Sequence, residues 1–371
     1  MSFKYFVLPF ITGLIILTGF LIYTFIGWIV RIEPSERLKI SKNIGTRKTL
    51  YAIKEVFMES LLHRKIFLQN PLLGFMHSSL AFGWFLLIVI GGIEVKFYNQ
   101  WSFEMPYYPV FFRYFEPVPK PFWGDWFFKQ AMDALLLIVL TGVCLAFVKR
   151  IKSVLFGMKR TTRPRLGDKI ALYSLWSIFP LRLFAESVTS GIHQTGGFFT
   201  KNFGIFLSEV LPVQYIETPL WWAYSSVLGL FFVVLPFSRY MHIPTEVLLI
   251  FLRKYGICTK KYYTGISEVE VYSCSRCGIC IDSCQLKEAA IIKSTSVYFI
   301  RSIRNNSLNS NILYNCLLCG RCSQVCPVGI NVSNLRLAKR EEFNLKNKFI
   351  YEIEKPQIPY KTDVIYFSGC A

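Results

Sequence analysis

The sequence predicts an all-α fold in which a bundle of five transmembrane helices precedes a smaller helical domain rich in cysteine. Three observations support this fold: high overall hydropathy, five apolar runs of spanning length, and eight closely spaced cysteines after the last run. Of the 371 residues, 53% are hydrophobic and 17% are aromatic, and the mean hydropathy is +0.39. Soluble domains of this size are less apolar, so the composition indicates an integral membrane protein with an extramembrane part.

The five apolar runs approach the length of about 20 residues that crosses the hydrocarbon core of a bilayer. They lie near residues 6–30, 72–92, 127–148, 170–190 and 219–237. The first run is too long for a signal-peptide core and has no small-residue cleavage site. We therefore expect it to remain in the protein as a membrane span.

The net charge of +19 is distributed unevenly among the connections between these runs. The connection between the first two runs carries nine Lys or Arg and residues 149–169 carry eight, whereas residues 95–125 and 191–219 carry three and one. By the positive-inside rule the N-terminus lies outside, and both basic connections and everything after His242 lie in the cytoplasm. The charge thus reports topology in a multi-pass inner-membrane protein, and we expect no nucleic-acid partner.

Eight cysteines after the last apolar run fall into two sets, CSRCGICIDSC and CLLCGRCSQVCP, each with the spacing C-x2-C-x2-C-x3-C. In bacterial ferredoxins this spacing binds two [4Fe-4S] clusters, and the fourth cysteine of each run ligates the other cluster. The expected ligand sets are Cys274, Cys277 and Cys280 with Cys326, and Cys316, Cys319 and Cys322 with Cys284.

Structural zinc is the alternative occupant, since zinc also accepts four thiolates. Zinc sites usually take two cysteines from each of two knuckles, so the doubled three-plus-one spacing favours iron–sulfur clusters. We expect backbone amides around Gly278 and Gly320 to turn toward the sulfurs. The second run ends with the usual proline, Pro327, whereas the first has Gln285 in that place. The residues between the runs suit a helix and a loop, which predicts a helical ferredoxin module.

The chain has only four histidines, and two of them are placed to bind one group in the membrane. His77 lies about two turns inside the second span, and His242 lies at the cytoplasmic end of the fifth. Because these two spans run in opposite directions, both imidazoles reach the same depth of the inner leaflet. A histidine in a bilayer is costly and indicates function, and paired imidazoles on facing helices are suited to hold haem iron.

The stretches GFMHSSLAFGW and PFSRYMHIP resemble the haem-b histidine motifs of the gamma subunit of respiratory nitrate reductases and of the related cytochrome b subunit of heterodisulfide reductases. The paired cysteine runs followed by VIYFSGCA resemble the catalytic-type subunit of heterodisulfide reductases, in which cysteine-rich CCG domains follow a ferredoxin module. This resemblance implies a membrane cytochrome b-like domain at 1–252, a dicluster ferredoxin domain at 253–355 and the start of a CCG segment at 356–371. It also implies at least one haem b, held by His77 and His242. The stretches that correspond to a second haem pair, WFLLIVIGG and WWAYSSVLG, contain no histidine.

The resemblance further implies membrane-bound electron transfer between the quinone pool and a cytoplasmic redox partner, as the electron-transfer portion of a quinone-linked oxidoreductase. Only Ala371 follows Cys370 in the CCG-like segment, so we expect the CCG domains from a longer chain or a separate subunit. One alternative is a membrane polyferredoxin acting in metal reduction or oxidase assembly, which needs the cysteine runs but no paired histidines. Another is an interaction anchor whose clusters are structural.

Four polar residues retain two interpretations. His63, in a basic amphipathic segment, is expected to be solvated or interfacial rather than a ligand. His193 follows the fourth span and is either an interfacial residue or part of a site for quinone or a haem propionate. Arg182 and Glu186, one helical turn apart, either neutralise each other or line a proton path to a quinone site.

Overall fold

The computed structural model describes residues 4–156 and 164–347, and within these ranges the fold is entirely helical. This confirms the predicted all-α class. The α-helices are α1 Leu8–Val30, α2 Pro34–Asn43, α3 Arg47–Glu55, α4 Arg64–Gln69, α5 Pro71–Tyr98, α6 Phe112–Phe115, α7 Asp125–Leu155, α8 Leu166–His193, α9 Phe198–Val210, α10 Val213–Val234, α11 His242–Lys254, α12 Gly265–Ser273, α13 Ile279–Asp282, α14 Gln285–Glu288, α15 Ser296–Arg304, α16 Ser310–Tyr314, α17 Arg321–Gln324 and α18 Val332–Asn347. The CCG-like segment at 356–371, with Cys370, lies outside the described residues.

Four helices in the described ranges are long and apolar enough to cross a membrane. They cover Tyr5–Val30, Pro71–Tyr98, Asp125–Ser153 and Val213–Phe237, and they agree with the first, second, third and fifth predicted spans. The fourth predicted span corresponds to α8, which has 28 residues but carries Asp168, Lys169, Arg182 and Glu186 and is not among those four. Length and composition therefore support four spans directly.

The bundle is held by close packing of α1 and α8 against α10, of α5 against α7, and of α9 against α8. Its helices approach each other where glycines remove the side chain. A Cβ atom at Gly13 would lie 2.6 Å from the carbonyl oxygen of Gly229, so α1 and α10 touch through their backbones. Small residues at such crossings are typical of membrane helices, where van der Waals packing replaces the hydrophobic effect.

The last span helix is followed by a break that redirects the chain. After Val234 the backbone forms two 3-10 turns, Leu235–Phe237 and Arg239–Met241, separated by Ser238 in an extended conformation. Pro236 contributes to the break because its ring removes a backbone N–H from the helical ladder. His242 thus begins α11 instead of ending the span helix.

The cysteine-rich module is docked directly on one end of the bundle, which we call the module end. Between His242 and the first cysteine run, α11 and α12 pack against each other and α12 packs on α1, so no free linker separates the two parts. The backbone N–H of Gly265 donates to the Arg31 carbonyl oxygen at 3.2 Å, and the rings of Trp28 and Tyr272 lie 5.1 Å apart. The predicted boundary at 252 falls inside α11, because the same helix serves both parts.

Candidate functional site: a histidine cluster beside two cysteine runs

Three of the four histidines meet at the module end of the bundle. His77 lies in the second turn of α5, His242 is the first residue of α11, and His63 directly precedes α4. The ring centroids of His63 and His77 are 5.6 Å apart. His193 ends α8 and is exposed, so the structure does not bring it into this cluster.

The hydrogen bonds of the three imidazoles define the same tautomer in each. Nδ1 bonds to a backbone carbonyl oxygen in every case: His242 to Arg239 at 2.7 Å, His77 to Leu73 at 2.9 Å and His63 to Leu61 at 3.2 Å. A carbonyl oxygen only accepts, so Nδ1 must carry the hydrogen and Nε2 keeps its lone pair. Metal-ligating histidines are usually oriented in this way.

The two histidines that lie outside the spans are held neutral. Burial, followed by the charge of His77, lowers the pKa of His63 to about 4. Burial also lowers the pKa of His242 to about 4, and the positive charge of Arg304 acts in the same direction. Both rings are therefore unprotonated at neutral pH, which is the state that a metal ligand needs. The donor set fits the axial coordination of haem iron.

The place of His63 differs from the expectation for a solvated or interfacial residue, because it is half-buried against His77. A π-helix at Val56–Leu61 and a left-handed conformation at His63 fold α4 back along α5. Gly74 permits this packing, since a Cβ atom there would lie 2.5 Å from the Phe67 ring. This glycine, three residues before His77, was the only sequence signal for the contact.

Sequence reasoning also missed an acidic residue beside the histidine cluster. Glu246 lies one turn after His242 on α11 and accepts a hydrogen bond from the Ser60 hydroxyl at 3.3 Å. Burial raises its pKa to about 7, because the charged carboxylate is poorly solvated there. A carboxyl group that titrates near neutral pH therefore lies close to the imidazoles.

The two cysteine runs share one backbone conformation. The second residue after the first cysteine, Arg276 or Leu318, and the glycine two residues later, Gly278 or Gly320, all have positive φ between 53° and 89°. Such left-handed positions turn successive N–H groups toward one side, which makes a site for anionic ligands. The N–H of Leu318 donates to the Cys316 sulfur at 3.4 Å, as expected for amides that turn toward the thiolates.

Each run is placed beside the last cysteine of the other. Cys284 lines a cavity of about 370 Å³ together with Cys316, Cys319 and Cys322. Burial raises the pKa of Cys326 to about 12, and the neighbouring thiols of Cys274 and Cys277 act in the same direction. Within the described ranges no three His, Cys, Asp or Glu side chains are arranged to hold a single ion. The thiols around a four-iron cube are spaced more widely than the ligands of one ion.

The charged pair inside α8 is formed as one of its two interpretations requires. The Arg182 guanidinium donates to the Glu186 carboxylate at 2.9 Å, and both side chains are more than nine-tenths buried. A second buried pair, Arg113 with Glu94 at 2.7 Å, joins α6 to α5. The bundle therefore contains two buried ion pairs in addition to the histidine cluster.

Comparison with known proteins identifies relatives for part of the chain and a family for the cysteine-rich region. Residues 270–330 match the model of a 4Fe-4S dicluster domain. The chain is 24% identical over 208 residues to a subunit of the dihydromethanophenazine:CoB–CoM heterodisulfide reductase of Methanosarcina acetivorans, covering 55% of this chain and 67% of that protein. The corresponding protein of Methanosarcina mazei is 23% identical over 208 residues, covering 55% of this chain and 68% of that protein. No solved structure matches the chain. The chain thus combines homology to a heterodisulfide reductase membrane subunit with a 4Fe-4S dicluster domain.

Proposed function

We propose that this chain transfers electrons between a membrane quinone pool and a cytoplasmic redox partner. In this proposal His77 and His242 hold haem b, and the eight cysteines of the two runs hold two [4Fe-4S] clusters. Helix α8 serves as a fifth span, with the N-terminus outside and the module end in the cytoplasm of a cell whose inner membrane holds the bundle. Homology to the heterodisulfide reductase subunit supports the membrane and electron-transfer parts of this assignment.

The observation that carries the proposal is the meeting of two kinds of electron-transfer ligand at one end of the bundle. Neutral imidazoles with available Nε2 lone pairs lie at the start of α11 and in α5, and the cysteine module packs on the same end. Arg304 links the two sites, because it donates to the Cys274 carbonyl oxygen and its charge acts on His242. Haem and iron–sulfur clusters supply one-electron carriers that a side chain cannot.

The residues around these ligands have distinct roles. The carbonyl oxygens of Leu73 and Arg239 fix the tautomer and orientation of His77 and His242. The guanidinium of Arg239 is well placed in sequence to accompany a haem propionate at the end of the span. The buried pair Arg182–Glu186 offers groups that exchange protons when a quinol is oxidised.

The printed name of the Methanosarcina relatives couples dihydromethanophenazine with a CoB–CoM heterodisulfide. For this chain we propose the analogous pair: a quinone or quinol in the membrane and a cytoplasmic subunit with CCG domains. That subunit would act on a thiol–disulfide couple or a small organic acid. Its CCG domains belong to a longer form of this chain or to a separate protein.

The test is the visible spectrum of the purified protein and of four alanine variants. His77→Ala and His242→Ala should each abolish a low-spin haem b spectrum, because each opens one axial position of the same iron. His63→Ala and His193→Ala are the controls and should leave the spectrum in place. A bis-imidazole spectrum that survives in His242→Ala but not in His63→Ala would reassign the second ligand to His63.

The same spectrum separates the alternative function, a membrane polyferredoxin acting in metal reduction or oxidase assembly. That protein would contain clusters but no haem b. An interaction anchor with structural clusters would differ again, because quinol analogues would neither reduce nor re-oxidise its clusters. Reversible oxidation of both haem and clusters by quinone analogues is the result that our proposal requires.

A further inference from the structure

A single buried carboxylate joins three segments between the histidine cluster and the first cysteine run. Asp168 lies in the first turn of α8 and is only 2% exposed. Its Oδ1 accepts the backbone N–H of Arg239 at 2.7 Å and the guanidinium of Arg276 at 2.8 Å. Its Oδ2 accepts the backbone N–H of Arg165 at 3.0 Å.

On one side this carboxylate reaches the histidine that we assign to the haem. The backbone N–H of Arg239 donates to Asp168, while the carbonyl oxygen of the same residue accepts from His242 Nδ1. Asp168 therefore fixes the residue that orients the imidazole. A partner of this kind controls the direction and the basicity of a ligand without touching the metal.

On the other side the carboxylate reaches the first cysteine run. Arg276 lies between Cys274 and Cys277, and its side chain is 7% exposed where it pairs with Asp168. Its φ of 59° is unusual for a residue with a side chain. The buried ion pair holds Arg276 in this conformation, which shapes the loop between two cluster ligands.

Two independent contacts place the same set of cysteines nearest the bundle. Arg304 donates to the Cys274 carbonyl oxygen at 3.1 Å, and its charge is also felt by His242. The segment directly after Cys326 is held by Arg253 of α11, which donates to the carbonyl oxygens of Val328 and Gly329 at 3.1 Å. Cys326, the fourth ligand expected for the first cluster, is thus attached to the helix that begins at His242.

We propose that Asp168 is a positioning residue that couples the two cofactor sites, and that the cluster of Cys274, Cys277, Cys280 and Cys326 is the one adjacent to the histidines. The cluster of Cys316, Cys319, Cys322 and Cys284 is then the outer one, which exchanges electrons with the soluble partner. The part that concerns haem rests on the proposed function. The order of the clusters relative to Asp168 does not.

The ion pair makes this proposal testable by charge. Asp168→Asn removes a negative charge beside the first cluster and keeps the positive charge of Arg276, which favours the more negative, reduced cluster and raises its reduction potential. Arg276→Gln removes the positive charge, keeps that of Asp168, and lowers the same potential. Local charge and hydrogen bonding are among the main determinants of cluster potentials. The cluster of the second run should keep its potential in both variants.

The experiment is a redox titration of the full-length protein, kept anaerobic and followed by electron paramagnetic resonance of the reduced clusters. Cys280→Ser and Cys322→Ser first assign the two signals to the two runs. Asp168→Asn and Arg276→Gln should then shift the signal of the first run in opposite directions. Where haem b is present, its rate of oxidation by the clusters should fall by about 10- to 100-fold in Asp168→Asn, the range typical for outer partners of a metal ligand.

Two further variants control for folding and for charge alone. Arg276→Lys keeps the charge and should largely restore the potential lost in Arg276→Gln. Glu342→Gln removes an acidic group that is more than half exposed, paired with Lys339 on α18, and should shift neither signal. Equal shifts of both clusters, or no shift of the first in any variant, would overturn the proposal. A wild-type protein without haem b would refute the proposed function, while the cluster titration would still decide the role of Asp168.

Discussion

Glu270 provides a quantitative test of how the cysteine module is held together. It lies on α12, only 3% exposed, and its Oε1 accepts the N–H of Asn331 at 3.4 Å. Asn331 follows Cys326 by five residues, so this contact joins the helix before the first cysteine run to the segment after the second. Burial raises the pKa of Glu270 from an ordinary value of 4.5 to about 7.

The sign of the effect follows from proton binding. Between pH 4.5 and about 7 the folded protein keeps the Glu270 proton while the unfolded chain loses it, so stability falls as pH rises through this window. The stabilising contribution is complete below pH 4.5 and is lost above about pH 7. One pH unit is worth about 1.4 kcal/mol, so the total change is about 3 kcal/mol.

Glu270→Gln keeps the shape and the acceptor oxygen but cannot ionise. We expect the variant to be more stable than the parent by about 3 kcal/mol near pH 8, and by only about 1 kcal/mol near pH 5.5. The assay is anaerobic thermal unfolding of the full-length protein at both pH values, followed by the cluster absorbance. Glu342→Gln, at an exposed pair, should give no pH-dependent gain. A gain of equal size at both pH values, or a loss of stability near pH 8, would refute the reasoning.

Two further predictions concern clusters and topology. Anaerobic protein should contain about eight iron atoms per chain, and Cys280→Ser and Cys322→Ser should each remove one of two distinct cluster signals; two zinc ions without labile sulfide would reject the ferredoxin interpretation. A reporter fused after Lys254 should be cytoplasmic, and one inserted near Tyr107 should be external, because the basic connections are retained inside. The reverse result would overturn the assigned orientation of the whole bundle.

The helical class, four of the helices long enough to span a membrane, and the two cysteine runs were all predictable from the order of the residues. These features are local: an apolar run of sufficient length must be helical in a bilayer, because every backbone polar group has to be satisfied within the segment. Ligand spacing is local as well, since Cys274, Cys277 and Cys280 belong to one short loop and helix. The position of His77 in the second turn of its helix was predictable for the same reason.

The meeting of distant groups, in contrast, became visible only in the folded chain. His63 reaches His77 because a π-helix and a left-handed residue reverse the chain before α5. Asp168 reaches Arg239 and Arg276, which are 71 and 108 residues away in the chain. The cysteine module lies directly on the bundle because α11 and α12 pack where a linker was expected. Such contacts depend on the direction of breaks between helices, and hydropathy and spacing do not encode that direction.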